Sequence, residues 1–278
     1  METSEYAKLK SNLSKLGLTK IVEYLPSYME DPSAASKPAA QVMRELTDVE
    51  IRFRDESAAE MNFKLSNFPY RKTLGDFDFD YQPSVDRAAI AELRTLRFLE
   101  NGDNVLFIGS SGVGKTHLAT GIGIEATSSH VSTYFIHFRD LVGRLKKAAA
   151  ENREEYAVRN LNKYKLLIID EIGYFPIDKT VAQLFFQLVA ARYEKRSIVV
   201  TTNQPLSRWG EVFADPVLAN AIIDRLVHHS TIVKITGRSY RIKDKFDQAD
   251  EPASPREPLG VQDGAPGKRG RPSKIKYE

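Results

Sequence analysis

The chain has 278 residues, of which 42% are hydrophobic and 28% charged, with a net charge of +3 and no cysteine. That composition belongs to a globular protein; it excludes a disulfide framework and thiolate chemistry, and no apolar run approaches the roughly 20 residues that span a bilayer. Lys and Arg stand against Asp and Glu as 9 to 11 in residues 1–68, 25 to 20 in 69–246 and 6 to 6 in 247–278, so a modest basic excess, compatible with a nucleic-acid surface, sits in the middle.

The first thirty residues interleave Glu5, Lys8, Lys10, Lys15, Lys20 and Glu23 with leucines, which fits neither a secretory leader nor a membrane anchor and gives the expectation of a cytoplasmic protein. Tyr6, Leu9, Leu13 and Leu16 fall at helical spacing, with Gly17 placed as a left-handed cap. Leu18, Ile21, Val22 and Leu25 begin a second stripe. After "DPSAASKP", where Ser36 and Pro38 suit a helix start, Val42, Leu46, Val49 and Phe53 mark a third helix. Residues 1–68 therefore read as a small all-helical domain.

From residue 69 to 246 short β-branched runs alternate with amphipathic segments. "NVLFI", "VSTYFI", "LLIID", "SIVVTT" and "TIVKI" are the strands expected of an α/β domain with a mainly parallel sheet flanked by helices. From residue 247 to 278 periodicity is lost and five of the 13 prolines gather, as in a disordered tail.

The first strand runs into Gly109-Ser110-Ser111-Gly112-Val113-Gly114-Lys115-Thr116-His117, which satisfies G-x-x-x-x-G-K-[ST] between a strand and a helix. Glycines let backbone N–H groups turn inward around phosphate oxygens. Lys115 supplies an ammonium to the β/γ-phosphates, Thr116 a hydroxyl to Mg²⁺, and the helix its positive end. This is a loop for a nucleoside triphosphate.

"LLIIDE" delivers Asp170 and Glu171 to the end of a buried strand, where carboxylates are costly unless paired or metal-bound. Asp170 suits Mg²⁺, and Glu171 suits polarising a water for attack on the γ-phosphate. "IVVTTN" brings Asn203 to a carboxyl strand edge, where ligands of such sheets sit, although an asparagine before Gln-Pro is also a turn former. In "AIIDRLVHH", Arg225 suits spreading transition-state charge; the alternative is an ion pair with Asp224 or a glutamate on a helix surface. His228 and His229 read as helix-end packing, because no third metal ligand is evident.

Together, "GVGKTHLA", "LLIIDEIGY", "FFQLVAARYE", "TTNQPLSRWGEVF", "DRLVHH" and "GRSYR" resemble the IstB-type ATPases that assist transposition, AAA+ proteins related to DnaC helicase loaders. The resemblance runs from about Leu9 to Lys245. It implies ATP and Mg²⁺ as cofactors, Asn203 at the sensor-1 position, Arg225 as an arginine finger acting on a neighbouring subunit, and Arg241 as a sensor-2-like arginine. It further implies a homo-oligomeric ring or spiral on double-stranded DNA in bacteria, a DDE-type transposase as partner, and disassembly by hydrolysis. It places "FDF" near the adenine and gives the helical domain a part in clamping DNA or docking a partner. Thr202 departs from the family's usual serine.

A DnaC-like replicative helicase loader is the alternative, since its motor would look the same. A small-molecule kinase would need an acceptor lid, which is not evident, and a nonhydrolytic module would bind ATP without turning it over. Arg44, Arg52, Arg54, Lys146 and Lys147 are the candidate DNA contacts. In the tail, Arg269-Gly270-Arg271-Pro272 resembles an AT-hook for the minor groove, or is a solvated basic end.

Overall fold

The computed structural model describes residues 4–242; the tail with its Arg269-Gly270-Arg271-Pro272 segment lies outside them. Among the described residues no helix is long and apolar enough to cross a membrane. Three helices come first, α1 (Ser4–Lys15), α2 (Thr19–Glu30) and α3 (Ala39–Leu65). Gly17 turns the chain between α1 and α2 at φ +69°, a conformation that costs glycine little. Ile21, Leu25, Tyr28 and Leu46 make a small core between α2 and α3.

The amino end of α2 has no side-chain cap of its own. Glu50 of α3 serves instead: its Oε2 accepts the backbone N–H groups of Lys20 at 2.8 Å and Ile21 at 3.3 Å. A carboxylate there meets donors that the first helical turn leaves without partners and the positive end of the helix dipole. Arg54 completes the staple, donating to Glu50 Oε1 at 3.0 Å and to the Gly17 carbonyl at 2.9 Å.

The expected strands form β1 (Asn104–Gly109), β2 (Thr133–His137), β3 (Leu166–Ile172), β4 (Ser197–Thr202) and β5 (Ser230–Ile235). They join in one sheet of order β2-β3-β4-β1-β5 with every pairing parallel. Helices α4 (Arg87–Arg94), α5 (Phe98–Asn101), α6 (Lys115–Ser128), α7 (Phe138–Ala150), α8 (Glu154–Asn162), α9 (Lys179–Arg192), α10 (Trp209–Val212) and α11 (Pro216–Val227) provide the connections.

Strand side chains alternate between the two faces. Val105, Phe107, Leu166, Ile168 and Val199 pack with residues of α4, α5 and α6. Leu106, Leu167, Ile169, Ile198 and Val200 pack with α7, α9, α10 and α11. Burial on both faces explains why "LLII" and "IVV" are continuously apolar. The open edge at β2 is covered by the chain leaving α3: the Phe135 amide donates to the Ser66 carbonyl at 2.8 Å, and Asn67 Nδ2 donates to the Phe135 carbonyl at 3.1 Å.

A buried arginine ties the amino edges of the strands together. Arg192, at the end of α9 and without solvent exposure, donates to the carbonyls of Leu161, Tyr164, Lys165 and Ser197 at 2.7–3.3 Å. Burial, and then Arg196 nearby, lower its pKa to about 9.

Candidate functional site

The strand order decides which residues meet. With β4 between β3 and β1, the carboxyl ends of three neighbouring strands carry the phosphate loop, the acidic pair and Asn203 to one edge, where open parallel sheets bind ligands.

The phosphate loop follows β1, and α6 begins at Lys115 with no side chain capping it, so its first N–H groups are available to an anion. Gly114 adopts φ +97°, and a Cβ there would stand 2.6 Å from the Phe77 ring; at Gly112, with φ +81°, a Cβ would stand 2.0 Å from Ser239 Oγ. Both positions demand glycine. Lys115 is buried and folds back on the loop, its Nζ donating to the carbonyls of Gly109 at 2.8 Å and Ser110 at 2.7 Å. Burial lowers its pKa, opposed by Asp170 and Glu171.

Asp170 is 1% exposed. Its Oδ1 accepts from Thr116 Oγ1 at 2.9 Å and Thr201 Oγ1 at 2.6 Å, and His137 Nδ1 lies 3.3 Å from Oδ2. A hydroxyl and a carboxylate held in contact form the hard-oxygen donor set that suits Mg²⁺. Glu171 follows with φ +67°, a left-handed conformation that costs a glutamate about 1–3 kcal/mol. The β3–β4 register shifts at this point, between Ile169 and Ile172, as a bulge that re-aims a side chain does. The Glu171 amide is held by Thr201 Oγ1 at 2.9 Å.

Asn203 is half-buried, and its Oδ1 is buried without a hydrogen-bond partner. Such an atom ordinarily finds a donor. The Thr202 hydroxyl donates to the Ile172 carbonyl at 2.7 Å and accepts the Gln204 amide at 3.1 Å.

A pocket opens over the loop, lined by Ser111 to His117 and by Glu171, Tyr174, Tyr240 and Arg241. Its far wall is the segment before α4, including Tyr70, Phe77, Asp78 and Gln82; the "FDF" phenylalanine Phe77 therefore lines the cavity. His117 Nε2 contacts the Thr73 carbonyl at 2.8 Å and meets the Phe77 ring edge-on, fastening that segment to α6, and burial lowers its pKa. The Tyr240 amide donates to the Gly112 carbonyl at 2.8 Å, which brings Arg241 to the pocket rim.

Arg225 is the predicted residue that the fold keeps apart. Its backbone carbonyl accepts from Asn104 Nδ2 at 3.4 Å, at the opposite end of β1 from Gly109, about 16 Å away at the rise of a parallel strand. The side chain donates to the Ala221 carbonyl at 3.0 Å and lies over the Phe186 ring.

His228 and His229 require a correction. A third candidate ligand exists: Glu194 brings a carboxylate oxygen to them, so that one ligand atom from each of the three lies within 4.8 Å of the others. Glu194 sits after α9, 34 residues away in sequence, and no local spacing signals the approach. Thr201 and His137 belong to no motif in the sequence. Thr201 is the penultimate residue of β4 and His137 ends β2, and His137 pairs in register with Asp170. Among the candidate DNA contacts, Arg44, Arg54, Lys146 and Lys147 are engaged with Asp48, Glu50, Asp178 and Glu151, and Arg52 Nε donates to the Asp48 carbonyl.

Residues 11–248 match the family described as IstB-like ATP binding protein. The chain is 47% identical over 248 residues to a protein of Bacillus thuringiensis subsp. berliner named for ATP binding in insertion sequence IS232, covering 89% of this chain and 99% of that one. It is 40% identical over 238 residues to the corresponding IS21 protein of Pseudomonas aeruginosa, covering 86% and 90%. Among solved structures, DnaI superposes with a TM-score of 0.52 at 22% identity, covering 60% of this chain and 92% of that one. AMPPCP-bound DnaA from Aquifex aeolicus superposes with 0.51 at 19% identity, covering 68% and 59%. These two likenesses show the fold.

Proposed function

The chain belongs to the IstB-like ATP-binding protein family, and from that premise we propose that it is an ATPase which assembles on double-stranded DNA and serves a transposase. The observation that carries the hydrolytic part is the contact of Thr116 with Asp170 at 2.9 Å, made where the strained Glu171 and the unpartnered amide oxygen of Asn203 also sit.

The triphosphate would lie along Gly109 to Thr116, its oxygens met by loop N–H groups and the uncapped start of α6. Lys115 would leave the carbonyls of Gly109 and Ser110 for the β/γ-phosphates; both states keep the buried ammonium hydrogen-bonded. Thr116 and Asp170 fit Mg²⁺, which when bound would neutralise phosphate charge. Glu171 would accept the proton of the attacking water, while the Asn203 amide, just beyond β4 at the same edge, would hydrogen-bond the γ-phosphate or that water. Arg241 would add positive charge from the pocket rim.

Arg225 cannot serve this site from the far end of its own β1. As an arginine finger it would act on the site of a second copy, which makes hydrolysis depend on a homo-oligomer, a ring or spiral on DNA. The α1–α3 unit would contribute to DNA or partner contact, and a DDE-type transposase is the partner that the family's resemblance implies. ATP would hold the assembly on deformed DNA, and hydrolysis would release it. Phosphate release measured with and without duplex DNA tests this reading: stimulation by DNA supports it, and ATP binding without turnover in either condition rejects it.

A further inference from the structure

We propose that Glu194, His228 and His229 form a site for a divalent transition-metal ion, with Zn²⁺ the fitting occupant. The proposal rests on geometry at the amino-terminal edge of the sheet, away from the phosphate pocket and independent of the ATPase reading. His229 Nε2 lies 3.4 Å from Glu194 Oε1. Zinc bonds to nitrogen and oxygen of about 2.0–2.1 Å, at a tetrahedral angle, put ligand atoms roughly 3.3 Å apart, so this pair already stands at the separation of two ligands to one ion. The two histidine rings are 4.1 Å apart between centroids.

The supports of these side chains agree with that reading. Glu194 stands at φ +55° one residue beyond the Tyr193 cap of α9, the left-handed position at which helices commonly end. The His229 carbonyl accepts the Asn104 amide at 2.8 Å, fixing the backbone against β1. Tyr193 Oη lies 2.7 Å from His228 Nδ1. The same hydroxyl hydrogen-bonds Glu194, so Tyr193 holds both side chains in the outer-shell manner usual for metal ligands. Two imidazoles and a carboxylate select Zn²⁺ over Mg²⁺ or Ca²⁺. The ion would join the ends of α9 and α11 three residues beyond Arg225.

The test is zinc titration of the metal-free full chain in excess Mg²⁺, competed against a chromophoric chelator. One Zn²⁺ per chain is expected, weakened at least tenfold by His229→Ala and by Glu194→Gln. Asp170→Asn should leave it intact, because His137, Asp170 and Glu171 form the other candidate cluster among the described residues. X-ray absorption of the zinc-loaded unmodified chain, which requires no variant, should show two imidazole nitrogens. Absence of micromolar binding, full-strength binding by a His228→Ala/His229→Ala double variant, loss of binding in Asp170→Asn, or a shell of oxygens alone would each overturn the proposal.

Discussion

Thr201 donates its hydroxyl hydrogen to Asp170 at 2.6 Å while its oxygen accepts the amide of Glu171 at 2.9 Å. One side chain on β4 thus fixes both members of the acidic pair on β3. Thr201→Val preserves shape and removes both contacts. It should lower ATP turnover about 10–100-fold, the usual effect of losing a partner that orients a metal-site carboxylate, and Thr201→Ser should restore most of it. Equal turnover in Thr201→Val and the unmodified chain would remove Thr201 from the site.

Glu171→Gln keeps the side chain's size and removes its basicity. ATP should still bind, since Lys115, Thr116 and the loop amides are untouched, while turnover falls by about 10²–10⁴. Equilibrium binding of a fluorescent ATP analogue beside single-turnover hydrolysis separates the two effects. Loss of binding in step with turnover would mean that Glu171 holds the nucleotide and does not act on water.

Arg225→Ala should leave ATP affinity within a fewfold and reduce turnover by about 10³ or more. Mixing it with Glu171→Gln subunits should recover activity, because the first supplies intact acidic pairs and the second intact fingers. Mixed oligomers that form and stay inactive would refute action across a subunit boundary.

Much of this was legible in the residues. Each strand announced itself by β-branched, apolar runs, and the phosphate loop by a spacing that its chemistry requires. Asp170 stands out because a carboxylate ending a buried strand is costly without a partner, and Asn203 because it falls at a carboxyl strand edge, where ligands of such sheets sit. What stayed hidden depends on approach across the fold. Glu194 reaches His229 only once α9 and α11 are packed, Glu50 caps a helix 30 residues before it, and Thr201 is one of two adjacent threonines whose partners the register decides. The distance between Arg225 and the phosphate loop likewise follows from which end of β1 each adjoins.

Stability should depend on Arg192, whose guanidinium is the shared donor to four carbonyls. Arg192→Met keeps an apolar stem and removes the donor to those acceptors, at a cost of about 1–3 kcal/mol for each one left unsatisfied. Urea unfolding should show the loss as a lower midpoint; an unchanged midpoint would mean that water replaces the guanidinium without penalty.

The α1–α3 unit should weaken in acid. Glu45 accepts hydrogen bonds from Lys37, Gln41 and Tyr28, which bring its pKa down from 4.5 to about 2. A carboxylate depressed in the folded state contributes stability above its unfolded pKa and loses it as pH falls through the folded one, so the contribution fades from about pH 4.5 toward 2. Thermal melts across that range should flatten in Glu45→Gln; an identical slope in both chains would rule Glu45 out as its source.

The central claim is that the edge bearing Lys115, Asp170, Glu171 and Asn203 hydrolyses ATP when subunits assemble on DNA. Phosphate release followed against protein concentration, with and without duplex DNA, addresses it most directly. The account predicts a rate per subunit that rises with concentration, increases on DNA and vanishes in Glu171→Gln. A rate per subunit that is independent of concentration and of DNA, or unchanged in Glu171→Gln, would contradict it.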